Sequence, residues 1–199
     1  MKVCLRALFG LALFFLMVQM IQAGGSGLNV VIVVNQNSMN SVQLGNYYAE
    51  RRHVPPQNLL RIDWPGGKVN WSISDFTTYL YNPVVSMLAA RHLTNQIDFI
   101  VLSMDIPYRV ESGDSIEPNS TTSCLFYGLK PDSNPPCSMA PGSTNLYAGT
   151  EGIFRATPPN AANSNSWLVT MITSSNLAQA KQLVENGAKY SFSSGIEIG

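Results

Sequence analysis

Charged residues, histidine and cysteine are all scarce in this chain. Only 12% of its 199 residues are charged, with 12 Lys and Arg against 12 Asp and Glu, and there are two histidines and three cysteines. Balanced charge lacks the positive surface that attracts nucleic acid, so we expect no nucleic-acid partner. His53 and His92 stand apart, and no HExxH or CxxC spacing accompanies them, so no metal site is predicted. Both histidines are expected to be structural or exposed.

Glycine-rich phosphate motifs are also missing. Neither GxGxxG nor the Walker pattern occurs anywhere in the sequence, and these are the loops that cradle dinucleotides and nucleoside triphosphates. The sequence therefore predicts no cofactor.

The first 23 residues have the layout of a secretory signal peptide. Lys2 and Arg6 precede an apolar run at residues 7–20, and small residues follow from Ala23. The run is shorter than the about 20 residues that a membrane-spanning helix needs. We therefore expect a secreted or periplasmic protein with no stable membrane span after cleavage; a retained membrane anchor is the alternative.

Residues 24–199 are long enough for a single domain with a sizeable core. Without Lys2 and Arg6, ten basic residues face twelve acidic ones, a net charge near −2. The segment at residues 194–199 looks like the opening of another strand, so we expect this domain to be incomplete at its C-terminus. The oligomeric state cannot be inferred from the sequence.

Apolar runs alternate with amphipathic stretches along the chain. The predicted strands are residues 28–34, 58–63, 97–103 and 167–171. The predicted helices are residues 38–53, 72–92 and 175–186. This alternation predicts an α/β fold with a mostly parallel, doubly wound sheet, either flavodoxin-like or caspase-like.

Three local signals refine the predicted helices. Ser38 and Ser72 are N-cap candidates for the first two helices. Because a proline disfavours helical backbone in the residue before it, Pro83 predicts a kink or short break near Asn82. Gly187 is expected to end the last helix.

Residues 104–166 lack any regular pattern and hold most of the prolines. A loop this long is uncommon inside a compact domain. It is predicted to be a functional lid or a decorated insertion, with short ordered pieces at residues 125–129 and 145–148.

Polar side chains follow the first predicted strand, and they form the main candidate ligand site. In open α/β sheets the ligand crevice lies outside the carboxyl ends of the strands. Asn35, Asn37, Ser38 and Ser41 occupy the turn into the first helix, where amides, hydroxyls and free helix N–H groups can bind an oxygen-rich ligand. Helix capping alone is the alternative explanation for these residues.

Charged side chains follow the next two strands. Asp63 ends the second strand, and Asp105 and Arg109 follow the third. A carboxylate and a guanidinium at neighbouring strand ends could orient a polar ligand. The alternative is an ion pair that simply closes the loop.

Cys124 and Cys137 are the two cysteines that remain once Cys4 leaves with the signal peptide. In an oxidising compartment they are predicted to form a disulfide bond, which would contribute about 3 kcal/mol in the chain-entropy model. The alternative is that one of them is a nucleophile with a partnering base.

Several segments resemble a family of secreted bacterial proteins without assigned activity. The similarity lies in residues 35–41, residues 47–55 with Asn58, the Ile-Pro-Tyr-Arg segment at residues 106–109, and residues 167–189. That family has an Arg-Leu-Asp-like ending on its later strand, where this chain has Met171-Ile172-Thr173. The resemblance implies a secreted bacterial protein, and the missing charges put a carboxylate role at that strand in doubt.

A more remote similarity concerns residues 97–105 before Ile106-Pro107, which resemble a segment of gingipain-type cysteine peptidases. Those enzymes have a caspase-like sheet with a catalytic His and Cys at strand ends, and neither His53 nor His92 is predicted there. The leading hypothesis is a secreted protein that binds a polar ligand at the strand ends. The alternatives are a caspase-like hydrolase, with Cys124 or a residue outside this chain as its nucleophile, and a cell-surface interaction module.

Overall fold

The computed structural model describes residues 26–111, 119–129 and 167–189. The predicted pieces at residues 145–148 and 194–199 lie outside these ranges. The described strands are β1 Val30–Asn35, β2 Leu59–Ile62, β3 Asn70–Ser72, β4 Phe99–Leu102, β5 Arg109–Glu111, β6 Asn119–Ser120 and β7 Leu168–Met171. The described helices are α1 Met39–Arg51, α2 from Ile73 to Ala90, α3 Thr121–Tyr127 and α4 Leu177–Lys189.

The first sheet has the strand order β2-β1-β4-β7, and every pair in it is parallel. All six residues of β1 are buried, because a central strand of a parallel sheet is covered on both faces and β-branched valine and isoleucine pack well there. The prediction of a mostly parallel α/β sheet is confirmed. The chain leaves β1 towards β2 and later returns to β4 on the other side, so the topological switch point lies between β1 and β4.

Helices cover both faces of this sheet. On one face α1 packs against α4, and Leu44, Ala180 and Val184 are buried with Met104 between them. On the other face α2 buries Leu80, Val84 and Leu88 in a larger core with Val31 and Val33 of β1. Among the described residues, no helix is both long enough and apolar enough to cross a bilayer.

The region after β4 contains more regular structure than the sequence predicted. β5 pairs in parallel with β3 and antiparallel with β6, which makes a second, three-stranded sheet followed by α3. Its centre is Trp71, which is fully buried and donates its indole N–H to the carbonyl oxygen of Pro107 at 2.9 Å. Strands of two or three residues are too short to show an alternating pattern, which explains why residues 109–120 were predicted as irregular.

Of the predicted kink or short break near Asn82, the break is wrong, because the helix continues through Pro83. It consists of an α segment Ile73–Asp75, a π-helical segment Phe76–Tyr81 and a second α segment Asn82–Ala90. The backbone N–H of Asn82 donates to the carbonyl oxygen of Thr77, five residues back. The wider π turn moves the preceding carbonyls away from the proline ring, so the proline is accommodated.

Helix α4 also differs from its prediction, since Gly187 does not end it. The helix begins at Leu177 and ends at Lys189. A Cβ atom at Gly187 would lie 3.1 Å from a terminal nitrogen of Arg52. The glycine therefore lies inside the helix at a point where α1 comes close.

Candidate functional site

The carboxyl ends of β1 and β4 lie side by side at the switch point and form the strand-end crevice, which we define as Asn35 to Ser38 together with Ser103 to Asp105. The backbone N–H of Ser103 donates to the carbonyl oxygen of Val33 at 2.9 Å, which continues the pairing of these strands by one residue. Asn35 is the last residue of β1 and is 5% exposed. Open α/β sheets bind their ligands at this position.

Hydrogen bonds within the turn fix the approach to α1. The Asn35 side-chain oxygen accepts from the backbone N–H of Asn37 at 3.2 Å, and the Asn35 carbonyl accepts from the N–H of Ser38 at 3.1 Å. The Asn35 backbone N–H donates to the Ser41 hydroxyl at 2.9 Å. Three hydrogen bonds therefore fix the backbone and the side chain of Asn35.

Ser38 has two roles in the crevice. Its hydroxyl oxygen accepts the N–H of Ser41 at 3.2 Å, which makes it the N-cap of α1 as predicted. The same hydroxyl donates to the Asp105 carboxylate at 2.5 Å. Capping and the contact with Asp105 thus occur together, so the capping explanation accounts for only part of what this side chain does.

Asp105 is the centre of the crevice. Its backbone has φ +61°, a left-handed conformation that costs a residue with a Cβ about 1–2 kcal/mol. One carboxylate oxygen accepts from Ser38, and the other lies 3.0 Å from the Lys68 ammonium group. The Asp105 side chain is 12% exposed and the Lys68 side chain 63% exposed, so the ion pair opens to solvent on the lysine side.

A second carboxylate lies at the neighbouring strand end. Asp63, directly after β2, accepts from the Asn37 side-chain amide at 2.8 Å. Hydrogen bonds from the side chains of Gln36 and Asn37 lower the pKa of Asp63. Asp63 and Asn37 are both exposed, so they remain available to a ligand in solution.

One predicted ligand residue lies beneath the crevice surface, and another belongs to the second sheet. Ser41 is fully buried, with its hydroxyl bonded to Asn35, and supports the crevice from beneath. Arg109 lies in β5, and the described ion pair of Asp105 is with Lys68 instead. The predicted Asp105–Arg109 pair is therefore wrong, because β5 turns away into the second sheet after Pro107.

Two residues of this region had no direct signal in the sequence. Lys68 lies in the turn-rich segment between β2 and β3, and its pairing with Asp105 joins positions 37 residues apart. Ser103 follows β4 directly, is buried, and donates its hydroxyl to the Ser41 carbonyl oxygen at 2.8 Å. Its position at a strand end, two residues before Asp105, was the one local hint.

Three exposed apolar residues lie close to crevice residues in the sequence. Met39, next to Ser38, is 76% exposed, and Tyr108, three residues after Asp105, is 50% exposed. The backbone N–H of Tyr108 donates to the carbonyl oxygen of Val69, itself 44% exposed and next to Lys68, at 3.1 Å.

Cys124 lies in the core and not in a reactive position. It is a free cysteine, 2% exposed, in the same cluster as Trp71 and Leu125. No disulfide bond of Cys124 is seen in the described residues, and Cys137 lies outside them, so the predicted Cys124–Cys137 bond stays a prediction. Burial raises the pKa of the Cys124 thiol to about 12, so it is protonated at neutral pH and is a poor nucleophile.

Both histidines are exposed and end helices. His53 follows α1 and His92 follows α2, with φ values of 53° and 55°. In the described ranges no group of three or more His, Cys, Asp or Glu side chains is placed to hold a metal ion.

Comparison with protein-family models, with characterised proteins and with solved structures finds no match to this chain.

Proposed function

We propose that the protein is exported and binds a small polar ligand in the strand-end crevice. The observation that carries this proposal is Asp105, a non-glycine residue in left-handed backbone conformation whose carboxylate lies between a hydroxyl and an ammonium group at the switch point. Unfavourable backbone geometry of this kind is concentrated at ligand sites.

The chemistry of the crevice favours a ligand rich in hydroxyl or amino groups. Asp105 and Asp63 accept hydrogen bonds, whereas Lys68 and the Asn37 amide donate them. A ligand with both kinds of group exchanges its bonds with water for bonds to these side chains. Sugars and polyols carry many such groups, so they are the first compounds to test.

Ligand binding is tested by titrating the chain from residue 24 with monosaccharides, polyols and amino acids, and by following tryptophan fluorescence and heat. Trp64 lies between Asp63 and Lys68 in the sequence and donates to the carbonyl oxygen of Gly67 at 2.7 Å, so it reports on this loop. Asp105→Asn should weaken binding by about tenfold or more, because a carboxylate hydrogen bond is worth about 1.5–3 kcal/mol.

Asp98→Asn is the matched control. Asp98 precedes β4 at the opposite end of the strand and accepts from the Asn29 side chain at 2.9 Å, so its loss should leave affinity unchanged. Equal effects of the two substitutions would contradict a site at the crevice. Turnover of a peptide, ester or glycoside that is lost in Asp105→Ala would instead make the protein an enzyme.

Export is tested separately. The full-length chain is expressed in a bacterium, and the periplasmic fraction is analysed by mass spectrometry. A product that begins at Gly24 supports cleavage after Ala23, whereas an intact N-terminus in the membrane fraction supports a retained anchor.

A further inference from the structure

Strand β2 forms one edge of the first sheet. Its inner side pairs with β1, and the described residues include no strand on its outer side. The backbone N–H of Gln36 donates to the carbonyl oxygen of Ile62 at 2.9 Å, so Ile62 faces β1. Because neighbouring residues of a strand point their N–H and C=O groups to opposite sides, the Leu59 carbonyl and both backbone groups of Arg61 point outward. The Leu59 N–H donates to the carbonyl oxygen of Pro56.

A groove of about 530 Å³ runs along this outer edge. Asn46 and Ala49 of α1, with Val54, form the wall on one face of the sheet. Arg91, at the end of α2, stands on the other face. The groove therefore continues the sheet between its two helical layers, and its volume lies in the range of small binding sites.

Arginine makes the groove positive. Arg61 and Arg91 are both exposed, and neither forms an ion pair with any carboxylate in the described part of the chain. The Arg91 guanidinium donates to the carbonyl oxygens of Gln57 and, at 3.4 Å, Leu59. The Arg91 side chain thus already bonds to the outward carbonyl oxygen of Leu59, with which a further strand would pair.

We propose that this groove binds an extended peptide that adds to β2 as a further strand and in which apolar residues alternate with acidic ones. Successive side chains of such a strand point to opposite faces. One set meets the small and apolar wall of Ala49 and Val54, and the other set meets Arg91. The incoming backbone bonds to the Leu59 carbonyl and to the N–H and carbonyl of Arg61, and the displaced Arg91 guanidinium pairs with a peptide carboxylate.

The experiment measures fluorescence anisotropy of a labelled peptide, Ile-Glu-Ile-Glu-Ile, with the chain from residue 24. In one control peptide lysine replaces glutamate. In the other the same residues are grouped as Ile-Ile-Ile-Glu-Glu. We expect the alternating acidic peptide to bind at least about tenfold more tightly than either control, because charge and alternation both contribute.

Charge-reversed variants locate the site. Arg91→Glu should weaken the acidic peptide about tenfold and strengthen the lysine peptide. Arg61→Glu should act in the same direction but more weakly, because Arg61 lies on the Leu59 face of the strand, beside the apolar wall. Asp105→Asn should change neither affinity, which separates this groove from the strand-end crevice. Lys181→Glu, on α4 beside Tyr47, is the control for a general effect of charge.

Amide hydrogen exchange distinguishes strand addition from simple charge attraction. The amide of Arg61 should exchange more slowly when the acidic peptide is bound, whereas the Leu59 amide, which already donates to the carbonyl oxygen of Pro56, should change little. Equal binding of the grouped peptide, or no slowing at Arg61, would overturn the proposal. Protection of the Arg61 amide before any peptide is added would also overturn it, since the edge would then be occupied by the chain itself or, where protection rises with protein concentration, by a second copy.

Discussion

Three described residues other than glycine have positive φ angles: His53, His92 and Asp105. The histidines have a visible structural reason. After α1, Val54 N–H donates to Ala49 and His53 N–H to Glu50; after α2, Leu93 donates to Leu88 and His92 to Ala89. These are the two bonds of a Schellman motif, which needs a left-handed residue at the first position beyond the helix. Asp105 ends no helix, so its geometry supports a ligand site.

The left-handed histidines predict a gain in stability from glycine. His92→Gly should raise the free energy of unfolding by about 1 kcal/mol, because glycine has no Cβ to strain at positive φ. Urea denaturation gives the value. His92→Ala should leave it within about 0.5 kcal/mol of the parent, since alanine keeps the Cβ; an equal gain in both variants would refute the explanation.

The residue scale also shows where sequence reasoning on the site succeeded. Ser38 and Ser72 are the N-caps of α1 and α2 as predicted, since capping depends on residues three apart in the chain. The pairing of Lys68 with Asp105 was missed because it depends on how the second sheet turns, and no local pattern encodes that. Local sequence rules thus predicted the turn after β1, whereas tertiary packing determines which distant side chains meet at the crevice.

At the scale of the element, α1 and β1 approach each other at Gly45. A Cβ atom there would lie 2.1 Å from a methyl carbon of Val34. Gly45→Ala should therefore destabilise the protein by about 2 kcal/mol through overpacking, although alanine is usually preferred in a helix. Thermal and urea unfolding measure the change.

Gly187 in α4 is the matched control for Gly45. Its nearest contact is the flexible end of Arg52, which can move aside. Gly187→Ala should raise the free energy of unfolding by up to about 1 kcal/mol. Changes of the same sign in the two variants would show that helix propensity, and not the contact with β1, decides the effect.

The π-helical segment of α2 predicts that Pro83 carries little strain. Pro83→Ala should change the free energy of unfolding by less than about 1 kcal/mol, because the π turn already avoids the clash that a proline makes in an α-helix. Ser86→Pro, at an exposed position of the following α segment, should cost about 3 kcal/mol. A large gain from Pro83→Ala would mean that the strain is not relieved.

Element length decides what was predictable in this fold. β1, β2, β4 and β7 have four to six residues and were recognised as apolar runs. β3, β5 and β6 have two or three residues. In β3 and β5 only the central position is buried, and in β6 neither residue is. These short strands form because the rest of the molecule buries Trp71 and Val110. Tertiary contacts, and not a local sequence pattern, therefore determine them.

At the scale of the whole molecule, one core joins the two sheets. The largest buried cluster includes Val31 of β1, Trp71 of β3, Val110 of β5 and Cys124 of α3. The second sheet and α3 are therefore part of the same packed unit as the first sheet.

This shared core makes Cys124 a probe of global opening. In a variant with Cys4 and Cys137 replaced by serine, labelling of Cys124 by a thiol reagent should be at least about a thousandfold slower than in urea, since only opened molecules expose it. The exposed position of Leu129 provides the control, as Leu129→Cys with Cys124→Ser. Rapid labelling of native Cys124 would show that α3 opens independently.

The parallel order of the first sheet sets a delay during synthesis. Val30 of β1 pairs with Phe99 of β4, and Phe99 pairs with Leu168 of β7. In each pair the second residue therefore leaves the ribosome 69 residues after the first. At roughly 5–20 residues per second this interval is about 3–14 s. During that time β1, the most apolar of the described strands, lacks its neighbour β4. Residues 30–35 are therefore the segment on which a nascent-chain chaperone would act.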